Sequence, residues 1–362
     1  MSGRIELQRK FFSEEESLLL RWGAMEASLF LYPSGVSGVR VKNRRGEIVV
    51  LPWNGQMIWN AVFDGHDLKM KNMFPDPVDT TVLVDTYGAF LAHCGARRMG
   101  TPTPEDDHPL HGELPCARYQ EAALTFGQDE DGRRWLGVTG VYHYKQGFGD
   151  FYDATPEVRL FEDDTLLDIS LSVQNVGNYP MDLMYMCHCN FLAGDDTRIV
   201  QTCGWDPESM VLRTSIPAHV KPSPKFLEFL EALKGSAERT AVLRAEDEYD
   251  PEIVFFLRGV KPASDGKAHI MQVFPDGYSH IVSYDPGALD HHVRWILKNK
   301  DQKVLGILPS TAESEGHTTE KAKGKVRTLN PGAIARFQVT AGLLDPERTR
   351  AMEALVASAM KD

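Results

Sequence analysis

The side chains best suited to chemistry gather in two stretches of a 362-residue chain. The first, Gly88–Pro115 (GAFLAHCGARRMGTPTPEDDHPLHGELP), passes from a short apolar run into Arg97 and Arg98, an acidic patch, His108 and His111. Polar groups of these kinds need partners when buried, so the segment reads as a strand that delivers a polar loop to one mouth of a sheet. The second, Pro180–Gly194 (PMDLMYMCHCNFLAG), sets His188 inside an otherwise apolar strand. Imidazole titrates near neutrality and is therefore suited to moving protons. The expectation is that His111, His188 and the arginine pair meet in one small-molecule cleft.

Each residue also has a plainer explanation. In a strand, neighbouring side chains point to opposite faces, so Cys187 and Cys189 share one face and His188 takes the other. That alternation argues against a Cys-His-Cys metal site, because three consecutive residues cannot converge on one ion without a kink. His188 is then either a hydrogen-bonded core histidine or a general acid at the sheet face. His111 precedes Gly112, which permits a sharp turn or a close approach to a ligand, and Pro109 and Pro115 stiffen the loop on either side. A metal site from His108, His111 and Glu113 matches no familiar ligand spacing, and no metal or cofactor is expected. Of Arg97 and Arg98, one is expected to face solvent and the other to hold a ligand. Trp53, Trp59, Trp205 and Trp295 could stack on a ligand, although most aromatics in β-folds are core.

These residues have to be positioned by strands. Glu26–Tyr32, Gly38–Val41, Ile48–Leu51, Ala117–Phe126, Trp135–Tyr144 and Glu157–Phe161 are short, apolar or alternating, and punctuated by turn residues. Leu167–Asn175 (LDISLSVQN) alternates apolar and polar residues, one face buried and one wet. Ile253–Leu257, His269–Phe274, Ser279–Tyr284, Val293–Leu297 and a closing strand at Ala333–Ala341 continue the pattern. Two helices stand out. Ser223–Pro224 opens one with Phe226, Phe229, Leu230 and Leu233 at helical spacing, and Asp345–Pro346 opens a C-terminal one at about 346–361, expected to bury Met352, Leu355, Val356 and Met360. Lys321–Arg327 (KAKGKVR) reads as a solvated turn. Without a strand–helix–strand rhythm a parallel sheet is not expected. The fold class is mainly β: a large antiparallel β-sandwich with a few peripheral helices, one domain over residues 1–362.

Bulk properties limit the partners. Hydrophobic residues make up 42% of the chain and charged residues 25%, ordinary for a globular protein. A formal net charge of -12 speaks against nucleic acid and anionic membranes as partners, since both select clustered cations. No stretch is long and apolar enough to span a bilayer, and the N-terminus lacks the pattern of a signal peptide. Five cysteines, an odd number, fit reduced thiols and a cytoplasmic location. Long antiparallel sheets often pair edges, which leaves a homodimer open.

The segments FLAHCGARRMG, PLHGELP, LDISLSVQNVGNYPMDLMYMCHCNF and VLGILPSTAE, together with the later LNPGAIARF, resemble the aldose 1-epimerase (galactose mutarotase-like) superfamily, in its uncharacterised branch. The resemblance covers roughly Tyr87 to Leu344. Its strongest motifs are the His-Gly loop at His111 and the run N-x-G-x-x-P to H-x-N-F between Asn175 and Phe191. It implies a galactose mutarotase-like supersandwich with a sugar cleft, and an isomerase that interconverts sugar anomers without a cofactor. By the same resemblance His111 holds the sugar near its ring oxygen, His188 protonates that oxygen, and a glutamate takes the anomeric proton. Arg97 or Arg98 would hold hydroxyls and Glu252 would contact the sugar; His108 and Trp295 are further candidate contacts from the residues themselves.

The chain departs from that pattern at the base. The Leu-Glu-Pro-like triplet is represented by Gly306-Ile307-Leu308-Pro309, with leucine where the glutamate is expected. Glu313 is the expected replacement, with Glu315, Glu252, Asp290, His291 and His292 as alternatives. A second departure is SGVSGVRV, where only Arg40 loosely answers an expected Arg-Gly-Met-Asp-like run. Two further readings follow: a carbohydrate-binding protein that has lost its base at Leu308, or another sugar isomerase, epimerase or lyase chemistry on the same scaffold.

Overall fold

In a computed structural model that describes residues 2–216 and 221–361, the strands collect into two antiparallel sheets of ten and thirteen strands. The alternating segment is a strand at Leu166–Asn175, buried at every second position, and it lies between Phe151–Phe161 and the closing strand Ile334–Leu344 in the ten-stranded sheet. Its inward residues Leu167, Ile169, Leu171 and Val173 join the core that both sheets share. Period-two burial of this kind fixes register, because a one-residue slip would turn the apolar set outward.

The site is carried by the thirteen-stranded sheet. There Ile253–Leu257, His291–Lys298, Lys303–Ser310, Met181–Phe191, Leu91–Ala96 and Ile58–Phe63 lie side by side in that order. Leu183, Tyr185, Cys187, Cys189 and Phe191 point into the shared core. Met184 and Met186 point the other way, into a second apolar layer with Ala92, Cys94, Val254, Val293, Trp295 and Leu308. The expected division of Cys187 and Cys189 from His188 therefore holds, and all five cysteines are free and buried.

Three α-helices occur among the described residues: α1 (Pro224–Leu233), α2 (His317–Ala322) and α3 (Pro346–Ala359). The Ser223 hydroxyl caps α1 by accepting from the Phe226 N–H, and the four expected apolar residues are buried. In α3 the Asp345 carboxylate accepts from Glu347 and Arg348 N–H groups. Of the four residues expected to be buried there only Val356 is, because the helix lies outside the ten-stranded sheet, with Met352 against Met271, Val273, Ile281 and Leu344. Helix α2 replaces part of the turn expected at Lys321–Arg327. No helix among the described residues is long and apolar enough to cross a membrane.

Candidate functional site

A cavity of about 450 Å³ opens on the second apolar layer, large enough for a small ligand. His111, His188, Glu252 and Trp295 all line it. His188 comes from the strand Met181–Phe191, Trp295 from the strand His291–Lys298, and Glu252 from the residue just before Ile253–Leu257. His111 comes from the loop that follows Leu91–Ala96, where it takes φ +61° before Gly112 at φ +83°. A non-glycine residue held in the left-handed region must be over-determined by its surroundings. Here the His111 N–H donates to the Gly100 carbonyl and the His111 carbonyl accepts from Gly95 N–H.

The aromatic rings form the floor. Ring centroids of His111 and His188 are 5.0 Å apart, and those of His188 and Trp295 are 5.9 Å apart. Tyr87 completes the group, 5.6 Å from Trp295 and 5.9 Å from His188, edge to face in both cases. His188 is 3% exposed and both its ring nitrogens are engaged: Nδ1 with Asn190 Oδ1 at 2.7 Å and Nε2 with the Tyr87 hydroxyl at 3.0 Å. Burial pushes the His188 pKa down to about 4, against a smaller opposing effect of the Asn190 hydrogen bond. Burial also holds His111 well below its ordinary value, and the neighbouring His188, His108 and Arg213 act in the same direction. Both imidazoles are neutral at pH 7.

Arg213 is the principal residue that the sequence did not reveal. It follows the short strand Met210–Leu212, lines the cavity and forms an ion pair with Glu252. An isolated arginine after a three-residue strand carries no motif. Tyr87 and Asn190, the two partners of His188, were also missed, though Asn190 stands within the H-x-N-F run and Tyr87 directly precedes the first chemical stretch. Three buried nitrogens of lining residues have no partner among the described residues: Trp295 Nε1, His111 Nδ1 and Arg213 Nε. Orphaned polar atoms are uncommon in a folded interior.

The other expected site residues are placed elsewhere. Glu313 is the main correction to the expected geometry. Its neighbour Ser314 lines the cavity, while the Glu313 carboxylate is turned away and is engaged by Arg258 Nε at 2.7 Å, Lys325 at 2.7 Å and Lys323 at 3.1 Å. These cations hold its pKa below the usual carboxylate range, although burial opposes them. Arg97 spends its guanidinium on Asp150 at 2.5 Å and on the Tyr144 hydroxyl at 2.9 Å. Arg98 donates to the Arg97 carbonyl at 3.0 Å and faces Asp182 at 3.7 Å. His108 donates from Nδ1 to the Pro109 carbonyl at 2.8 Å. Arg40 pairs with Glu16 and Glu47. None of these five lines the cavity. Leu308, at the position of the missing glutamate, does line it and is 2% exposed.

Glu313, Glu315 and Glu320 approach one another closely enough to share an ion. Lys323 already contacts all three, and Arg258 and Lys325 add two more cations, so the cluster is neutralised from within the protein.

Comparison with known proteins agrees with the architecture. Residues 33–202, which include Tyr87, His111 and His188, match the model of a domain of unknown function (DUF4432). The structure of a "putative aldose 1-epimerase" from Klebsiella pneumoniae subsp. pneumoniae MGH 78578 is similar at a TM-score of 0.82, with 15% identity over 99% of this chain and 96% of that one. A galactose mutarotase-like protein from Clostridium acetobutylicum gives 0.57, with 14% identity over 91% and 98% of the two chains. One from Lactobacillus casei ATCC 334 gives 0.53, with 13% identity over 85% and 100%. No curated protein matches the chain. The fold is a galactose mutarotase-like β-sandwich.

Proposed function

We propose that the chain is a carbohydrate-active isomerase of the aldose 1-epimerase type, acting as a single unit on a sugar held in the cavity. The observation that carries this reading is the convergence of His111, His188, Glu252 and Trp295 on one cavity of about 450 Å³ within this fold. Trp295 offers an aromatic ring, Arg213 and Glu252 offer a donor and an acceptor for hydroxyls, and the imidazoles supply proton transfer. Free, buried thiols fit a cytoplasmic setting. The test is to dissolve a pure anomer of each of a panel of aldoses and sugar acids and follow its equilibration by polarimetry or NMR. The protein should accelerate at least one of them, and His188→Ala should abolish the acceleration; no acceleration across the panel would remove the isomerase reading.

Leu308 supports a second reading. A leucine at the expected position of the base, on the cavity wall itself, fits a protein that binds sugar without turning it over. Such a protein would be stabilised by ligand without catalysing equilibration, by about 2.7 kcal/mol at a hundredfold excess of sugar over Kd.

A further inference from the structure

The polarity of the hydrogen bonds around His188 assigns a role to Tyr87. The Asn190 amide is oriented by its Nδ2, which donates to the Ala89 carbonyl at 3.0 Å, so Oδ1 is the end that faces His188. An amide oxygen only accepts, hence His188 Nδ1 carries the hydrogen. In a neutral imidazole Nε2 is then bare, and it accepts from the Tyr87 hydroxyl at 3.0 Å. Both nitrogens of His188 are thus committed, and neither offers a proton to the cavity. Tyr87 lines the same cavity, and the hydroxyl that donates to His188 keeps its oxygen lone pairs as acceptors. The other titratable or charged groups facing this pair are His111, Cys94, Arg213 and Glu252, the last two paired with each other.

We propose that Tyr87 is the catalytic residue that takes the proton from the sugar, with His188 behind it as the transient acceptor of the phenolic proton and Asn190 as the positioning residue. The inference rests on the isomerase reading above and accounts for the leucine at position 308, since no separate carboxylate base is required. The anomeric O–H bond breaks and its proton passes to the Tyr87 oxygen, while the phenolic proton passes to His188 Nε2. The electron pair left on the anomeric oxygen forms the C=O bond of the aldehyde, and the bond from the anomeric carbon to the ring oxygen breaks with its pair on that oxygen. The proton then returns from His188 through Tyr87 to the former ring oxygen, so that the relay ends as it began. Between the two transfers the negative charge on that oxygen is met by Arg213, the cation that lines the cavity. Rotation of the aldehyde and reversal of the steps give the other anomer.

The experiment compares wild type with Tyr87→Phe on the aldose that wild type turns over. Loss of the hydroxyl should lower kcat by about 100-fold or more, the range of a general acid–base group, while sugar affinity changes by less than about tenfold. Incorporating 3-fluorotyrosine at position 87, with its more acidic phenol, should retain turnover and move the alkaline limb of the pH–rate profile to lower pH. Nitrogen-15 NMR should find His188 neutral with its hydrogen on Nδ1, and its Nε2 resonance should move in Tyr87→Phe. Turnover that survives Tyr87→Phe, or a hydrogen on Nε2 of the resting imidazole, overturns the role of Tyr87 and leaves the isomerase reading standing. Absence of turnover by wild type on every aldose overturns both.

Discussion

Glu313 and Glu252 show why single residues resist assignment from sequence. Glu252 directly precedes one strand of the sheet and Glu313 lies three residues beyond the end of another, and the sequence favoured Glu313 because it follows Leu308–Pro309 closely. Beyond Ser310 the chain leaves its strand, and period-two alternation no longer says which side chain points where. The turn places Ser314 on the cavity and Glu313 among cations. Glu313→Gln should therefore act on stability alone. The neutral amide would leave Arg258, Lys323 and Lys325 crowded around a side chain that is 1% exposed. With the cations partly solvated, a loss of about 2 kcal/mol in urea denaturation is expected, below the cost of breaking a fully buried pair. Sugar-induced thermal stabilisation should be unchanged. A variant that folds normally and no longer responds to sugar would return Glu313 to the site.

At the scale of elements, the alternating strands were legible because each buries one face in the shared core and turns the other to solvent or to the second apolar layer. The strand Met181–Phe191 is the clearest case: its sequence put Cys187 and Cys189 on one side and His188 on the other, and the two sides became the shared core and the cavity floor. What the sequence could not show is which strands lie side by side. Arg213 reaches Glu252 because Met210–Leu212 pairs antiparallel with Ile253–Leu257, across an intervening stretch that contains α1. The loop that carries His111 depends on a close backbone approach rather than on any side chain. A Cβ at Gly112 would lie 2.0 Å from the Arg98 carbonyl oxygen, and the residue sits at φ +83°. Gly112→Ala is expected to cost about 1–3 kcal/mol through the strained conformation and to weaken sugar binding by displacing His111. Ligand titration beside a denaturation curve measures both, and unchanged binding would mean that His111 is held without the turn.

At the scale of the whole molecule, the buried histidines make stability depend on pH in a defined direction. Burial lowers the pKa of His93 and His188 to about 4 and that of His280 to about 3, and it holds His111 and His292 well below the ordinary value. On unfolding each returns to its usual value near 6.5, so between these limits the unfolded chain binds more protons than the folded one. Stability must then rise with pH through this window, and it is lost as pH falls below about 6.5. His143, raised by its hydrogen bond to Asp153, works in the opposite sense, but it is a single exposed-side group against five buried ones. Carboxylates held low by hydrogen bonds and cations, such as Asp182 and Glu313, lose their contribution only at lower pH, nearer the unfolded carboxylate value. The interval from pH 7 to pH 5 therefore reports mainly on the imidazoles, opposed by Glu113 and Asp168, whose carboxyl pKa values burial raises. Each fully buried one contributes a loss of up to about 2 kcal/mol over that interval, and the sum is reduced by any residual burial in the unfolded chain. The same depressed pKa governs catalysis with a different outcome. The relay needs neutral His188, so turnover should stay level from about pH 8 down to about pH 5 while stability is already falling. Urea midpoints and initial rates measured on one preparation across that range would separate the two. A rate that climbs steadily on acidification would show that the imidazolium form is the working one, and a flat stability curve would show that these rings are hydrated rather than sealed in the fold.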